Sequence, residues 1–396
     1  LRAIGVDLGF GFTKATDGTR STIFKSIIGE ATAQQFGGSL LRHDVEAEPD
    51  NAPSGDEYLH LALDVGEFFF GELAERQSNV RSFTLDQGRF IEEASLPFTL
   101  AAVSALGYLD DTVRLVVGLP ISDFGARADE LERRLRGRHD ITMVSPSAER
   151  HHGTLTIDDV KTIPEPFGAI YDMVLDDRGE LVNQPIAEEK VGVIDIGFHT
   201  VDFTVSDRTA FLERASRSSE AGIARAFSVI AAKLREKSDV NLPVYRLYDA
   251  AAQGRIRIRG DVYDLGKLTE HVFGQLASEI ATQANELWAD EWDMDRVIIA
   301  GGGGQVLGPY LEPLLQGRVE TAPAGSDARM GNARGFAKYA AHLWGDADDD
   351  PGADKSSVTV EGADYAEADA SVNGEAPPPS AEPEPYPAPS GPGSPF

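Results

Sequence analysis

Two acids, Asp7 and Asp195, stand 188 positions apart in the same short design. Around the first the chain reads GVDLGFGFTKA from Gly5; around the second it reads VGVIDIGFHTVDFTV from Val191. Each is a β-branched run ending in Asp-x-Gly, then a turn, then alternating apolar and Thr residues. That is the pattern of a β-hairpin whose tip presents backbone N–H groups beside a carboxylate. Gly9, Gly11 and Gly197 let those amides approach phosphate oxygens closely. Lys14 follows the first turn and supplies a mobile point charge for a β- or γ-phosphate. A triphosphate also needs a divalent cation. Mg²⁺ keeps several of its waters, so two carboxylates facing each other across a cleft suit holding it through those waters. Either Asp alone reads equally well as a turn former; the matched pair is what points to a phosphate chain.

A third glycine cluster extends the pattern. VIIAGGGGQVLGPYLEPLL, from Val297, reads as a strand, a glycine turn and a helix. Gly301, Gly302, Gly303 and Gly304 either let the backbone lie flat against a base or its α-phosphate, or simply make a tight strand-to-helix turn. Glu165 is bracketed by Pro164 and Pro166 in TIPEPFGAIYDMV. The prolines keep the backbone extended around it. There the acid orients a water in line with a γ-phosphate, or it only starts a helix whose dipole favours it. The eight histidines have no H-E-x-x-H or comparable metal spacing. His151 and His152 read as solvated loop residues, and His199 as a shaper of the second hairpin. No G-x-S-x-G elbow occurs, and zero cysteines remove disulfides, thiolate metal sites and cysteine nucleophiles together.

These residues need elements to hold them. Strands are expected from Ala3 to Thr16 and Arg20 to Ile28, then a long Gly-, Asp- and Pro-bearing loop from Gln34 to Asp56. Helical patterns follow in GELAERQ and in Phe90 to Leu106, then a buried strand, VRLVVGLPI, and a charged helix from Asp123 to Arg136. The second half repeats the order: the Val191 hairpin, a helix carrying Ile223, Phe227, Ile230 and Leu234, a second with Val272, Leu276, Ile280 and Leu287 on one side, and the VIIA strand. Strands followed by helices, twice over, predict an α/β chain of two similar lobes around a nucleotide cleft. The segments Thr162 to Val174 and Gly331 to Trp344 are placed to cross between lobes. The expected division is 1–162, closed by helix 331–344, for lobe I, and 163–330 for lobe II.

The chain has 396 residues, 41% hydrophobic, enough for two cores. From Gly345 to Phe396 the character changes to ten of the 22 prolines, twelve acids and one lysine. Without apolar periodicity that stretch reads as a disordered acidic, proline-rich tail, 345–396, either a solubilising bristle or a docking arm. It carries −11 of the net charge of −29, leaving −18 on the body. So acidic a body repels nucleic-acid phosphates and argues against direct DNA binding. Nine lysines against 27 arginines, with so many acids, suggest a high-salt cytoplasm. The longest nearly apolar stretch, LPFTLAAVSALGYL from Leu96, is fourteen residues and suits a buried helix better than a membrane span. No signal peptide is visible, and a soluble cytoplasmic protein is expected.

Together these motifs resemble the superfamily of actin, the sugar kinases and the large heat-shock chaperone ATPases, whose lobes are ribonuclease H-like. GVDLGFGFTKA resembles the first phosphate motif, VIDIGFHTVDFTV the second, VIIAGGGGQVLGP the adenosine motif, and IPEPFGAIYDM and GNARGFAKYA the two connecting segments. FGELAERQS, GLPIS and IPEPFGAIYD are most similar to the ParM/StbA group of prokaryotic actins; with the acidic composition, a haloarchaeal actin homologue is the nearest likeness. The resemblance implies Asp7, Asp195 and Glu165 as catalytic, with the two Asp on Mg through water. It implies ATP or GTP held by Gly9, Phe10, Gly11, Lys14, Gly197, Phe198, His199, Gly222 and Gly301 to Gly304. Phe10 replaces a small hydroxyl residue of eukaryotic actins, and Phe198 and His199 replace the usual Gly-Thr, which leaves backbone contacts there. The implied function is a filament-forming ATPase that polymerises with ATP and Mg and disassembles after hydrolysis. Its expected tasks are plasmid or DNA segregation or other cytoskeletal positioning, its partners itself and a basic adaptor where DNA is cargo. A sugar or metabolite kinase and a non-hydrolysing nucleotide-binding scaffold are the alternatives; a chaperone would carry a folded peptide-binding domain after the second connecting segment.

Overall fold

The computed structural model describes residues 1–31, 58–83, 86–321 and 327–345. The expected loop from Gln34 to Asp56 and nearly all of the expected tail lie outside the described residues.

Each of the two expected hairpins is built into its own sheet. In the first, strand Arg2–Leu8 pairs antiparallel with Phe12–Thr16 and parallel with Thr112–Leu119, which in turn runs parallel to Arg150–Pro164. In the second, Lys190–Ile196 pairs antiparallel with Val201–Asp207 and parallel with Arg296–Ala300. The central strands are buried on both faces, so they read as unbroken runs of Val, Ile and Leu rather than as alternation. Among the described residues the first sheet grows to ten strands and the second to six. The result is the α/β, two-lobed architecture that the motif order predicts.

Helices follow where apolar spacing placed them. Ile223–Ser238 buries Ile223, Phe227, Ile230 and Leu234, and Gly266–Leu287 buries Val272, Leu276 and Ile280. The Leu96 stretch forms Ser95–Ala105, nine of whose eleven residues are buried, which is why it is apolar all round. The charged helix spans Ile121–Leu135.

Between the two sheets lie the helices of the connecting segments, Phe167–Val174 and Gly331–Trp344. They meet at a glycine pair: a Cβ added to Gly335 would stand 1.8 Å from the Gly168 carbonyl oxygen. The contact continues in Tyr171 and Tyr339, whose rings stack at 4.4 Å. Phe336, 0% exposed, fills the space beneath and contributes about 2 kcal/mol by its burial.

Three expectations change. His151 and His152 lie exposed on the long strand Arg150–Pro164 rather than in a loop, since the run continues the hairpin begun by Gly137–Val144. Gly301–Gly304 are not a turn before a helix; they are the first turn of helix Gly301–Leu311. Hairpins that were not anticipated include Leu59–Leu63 with Gly66–Phe70, Gly137–Val144 with Arg150–Pro164, and Arg255–Ile258 with Asp261–Asp264.

Candidate functional site

The two hairpin tips line one shared cleft. From the first hairpin come Asp7, Gly9, Phe10, Gly11 and Lys14; from the second, Asp195, Gly197 and Phe198. The strand Arg296–Ala300 adds Gly301, Gly302 and Gly303 from the helix it feeds, and Glu165 enters from the end of strand Arg150–Pro164. Three expected residues lie off this wall. His199 packs edge-on to Phe10 at 5.1 Å and lines a neighbouring cavity. Gly222 donates its N–H to the His199 carbonyl and shapes the turn. Gly304 faces Ile299 beneath the helix.

The acids are held in a definite order. In the first hairpin Asp7 and Lys14 are register partners, and Lys14 Nζ donates to Asp7 Oδ2 at 2.9 Å. Asp195, 4% exposed, accepts at Oδ2 from Asn332 Nδ2 at 2.7 Å. Gly301 is in the left-handed region (φ 79°), and a Cβ there would fall 2.3 Å from Asp195 Oδ1. Any side chain would therefore strain the backbone and displace the carboxylate. Glu165 sits half-buried where the backbone turns from strand to helix, its N–H bonded to the Leu119 carbonyl at 2.9 Å.

Four carboxyls crowd this region. Burial pushes Asp195 up to about 6; the hydrogen bond from Asn332 opposes the shift and the charge of Asp7 adds to it. Burial also pushes Asp202, the register partner of Asp195, up to about 7. Burial and then the charges of Asp7, Asp202 and Asp195 hold Glu165 well above the usual carboxylate range, with Lys14 opposing. Such an excess of negative charge suits a divalent cation. Among the described residues, no three acids or histidines gather closely enough to cage a metal. Asp7 and Asp195, both buried, are carboxylates of the kind that can hold Mg²⁺ through its waters.

Several lining residues were missed in sequence. Phe12 and Tyr248 meet edge-on at 5.4 Å, and the Arg329 guanidinium lies over both rings, 4.9 and 5.8 Å from their centroids. Asp327 holds Arg329 in place with a contact of 2.6 Å. These flat groups come from three separate segments, and no local pattern joins them. Asn332 lies inside the GNARGF motif, where its polar side chain on the buried face of a helix was a readable signal. Asp202, a charge at an interior position of an alternating strand, was another.

Two family models match the chain. The model for the N-terminal domain of actin-like proteins covers residues 5–168. The model for the C-terminal domain of archaeal actin homologues, MreB-like, covers 193–313. Among solved structures, the fold is similar to a ParM from a 15-stranded filament of Clostridium botulinum (TM-score 0.69, 23% identity, 85% of this chain and 98% of that one). It is also similar to the archaeal actin homolog Ta0583 in complex with ADP (0.66, 19%, 87% and 100%) and to Bacillus thuringiensis ParM with AMPPNP (0.64, 15%, 85% and 98%). No curated protein matches the sequence.

Proposed function

Because this chain belongs to the prokaryotic actin-like proteins, we propose that it is a nucleotide-dependent, filament-forming ATPase. The observation that carries the reading is the meeting of both Asp-x-Gly tips, Lys14 and Glu165 on one cleft. Relatives solved with ADP, with AMPPNP and as a filament support it.

In this reading the phosphates of ATP, or of GTP, lie along the amides around Gly9, Phe10, Gly11, Gly197 and Phe198, and Lys14 donates to the terminal phosphate. The base rests on the backbone at Gly301 to Gly303, with Tyr248 and Arg329 as flat contact surfaces. Mg²⁺ bound with the nucleotide supplies charge neutralisation, and Asp7 and Asp195 are the residues that would hold it through its waters. Glu165 orients the attacking water by hydrogen bonding. Lobe I is 1–162 with helix 331–344, and lobe II is 163–330. Among the described residues no helix is long and apolar enough to cross a membrane. Where DNA is the cargo, the −29 charge requires a separate basic adaptor.

The test is pelleting and light scattering after adding ATP and Mg²⁺ to the purified protein across a range of salt, with phosphate release followed in parallel. Polymer that forms with nucleotide and turns over as phosphate is released is the expected result. Failure to polymerise, with phosphate passed to a sugar, would make the protein a small-molecule kinase.

A further inference from the structure

The helix Ile121–Leu135 starts just after Pro120, a residue with no side-chain group to cap it. A helix beginning this way leaves its first amides without partners. Those of Asp123 and Phe124 bond to the Pro120 carbonyl at 3.0 Å. Those of Ile121 and Ser122 are taken by the other sheet. Ile121 N–H donates to Asp202 Oδ1 at 3.1 Å, and Ser122 N–H donates to Ser218 Oγ at 3.0 Å. Asp202 and Ser218 are register partners on adjacent strands, and the Ser218 hydroxyl donates to the same Asp202 oxygen. Asp202 is 1% exposed, so the acceptor at the centre of the cluster is buried, while the Ser122–Ser218 bond lies at the surface.

Both ends of the cluster lead to the cleft. On one side, Asp202 pairs in register with Asp195. On the other, Ile121 follows the strand whose last residue, Leu119, accepts the N–H of Glu165. A short path therefore runs from Asp195 across the strand pair to Asp202, from the Asp202 carboxylate to the Ile121 amide, and along the chain through Pro120 to Leu119, which accepts the N–H of Glu165.

We propose that Asp202 and Ser218 form an interlobe clasp: side chains of the second sheet cap amides of the first, and so set where Glu165 stands relative to Asp195. Both are positioning residues, since neither lines the cleft. The clasp itself stands on the contacts above; only its effect on hydrolysis rests on the ATPase reading.

The experiment is amide hydrogen exchange on the full chain without nucleotide, comparing the wild type with Asp202→Ala, Ser218→Ala and the conservative Asp202→Asn, which keeps an acceptor oxygen. Exchange at Ile121 and Ser122 should rise at least ~10-fold in the two alanine variants, as expected when a capping bond is lost and the segment opens locally. It should stay near wild type in Asp202→Asn, and helix Gly266–Leu287 should be unchanged in all three. Unchanged exchange at Ile121 and Ser122 would overturn the clasp. So would a uniform rise across the chain, which would make Asp202 a general stability residue; Ser218→Ala, the milder change, guards against mistaking misfolding for opening. In hydrolysis, both alanine variants should lower kcat with little change in KM. A local opening that leaves kcat untouched would remove the positioning role. A wild type that hydrolyses no nucleotide would defeat the ATPase reading while leaving the exchange result to decide the clasp.

Discussion

Glu165 is placed by backbone on both sides, with Leu119 accepting its N–H and Gly168 N–H donating to its carbonyl at 2.9 Å. Those bonds involve the backbone alone, and under the proposed function its side chain is the group that acts on a water. Water orientation stabilises the transition state of γ-phosphate cleavage more than it stabilises bound nucleotide. Glu165→Ala should bind ATP and polymerise, yet hydrolyse roughly 100- to 10,000-fold more slowly. Polymer dismantled after hydrolysis should then accumulate as long-lived filaments, seen by light scattering; normal phosphate release would make Glu165 a structural acid. Asp202 allows a second prediction, on pH. Its pKa is raised in the fold to about 7, and that of Asp195 to about 6. A raised carboxyl favours the folded state fully below its unfolded value near ~3.9 and loses that contribution as pH climbs through the folded value. The nucleotide-free protein should melt a few degrees lower at about pH 8 than at about pH 5, and Asp202→Asn should flatten the slope. An identical pH profile in the variant would show that Asp202 is charged throughout.

At the scale of elements, the connecting helices Phe167–Val174 and Gly331–Trp344 decide whether the site assembles, because Asn332, which holds Asp195, rides on the second of them. Their approach depends on Gly335 lying against the Gly168 carbonyl. Gly335→Val should destabilise by about 1–3 kcal/mol through overpacking, and should weaken nucleotide binding by shifting Asn332. A denaturant melt with a nucleotide titration reads both, and unchanged affinity in a folded variant would uncouple this helix from the cleft. These segments were legible in sequence because their proline or glycine boundaries are local. So were both hairpins, where β-branched runs stop at Asp-x-Gly. Tyr248 and Arg329 escaped for the opposite reason: each becomes a site neighbour only through packing between distant segments. The Arg255–Asp264 hairpin escaped because its inward Ile256, Ile258 and Tyr263 alternate with charges over only four residues per strand. That is too short to outweigh turn signals.

For the whole molecule, the central tension is between self-association and a net charge of −29. Copies this acidic repel one another over the Debye length, which falls from about 30 Å at 0.01 M salt to about 3 Å at 1 M. The ion pairs within the chain, such as Arg89–Glu93 and Arg150–Glu67, do little to offset that repulsion, since they join residues of the same copy. Apolar contact between subunits gains from screening, whereas contact through intersubunit ion pairs loses. If filaments form through apolar patches, raising KCl from about 0.05 M to about 1 M with ATP and Mg²⁺ present should lower the protein concentration at which polymer first pellets, by several-fold. Phosphate release should rise with it, because hydrolysis follows assembly in the proposed cycle. The reverse trend, polymer dissolving as salt increases, would show that subunits are joined by complementary charge in spite of the overall acidity. The search for contacts would then move to the exposed arginines of the Arg255–Ile258 strand.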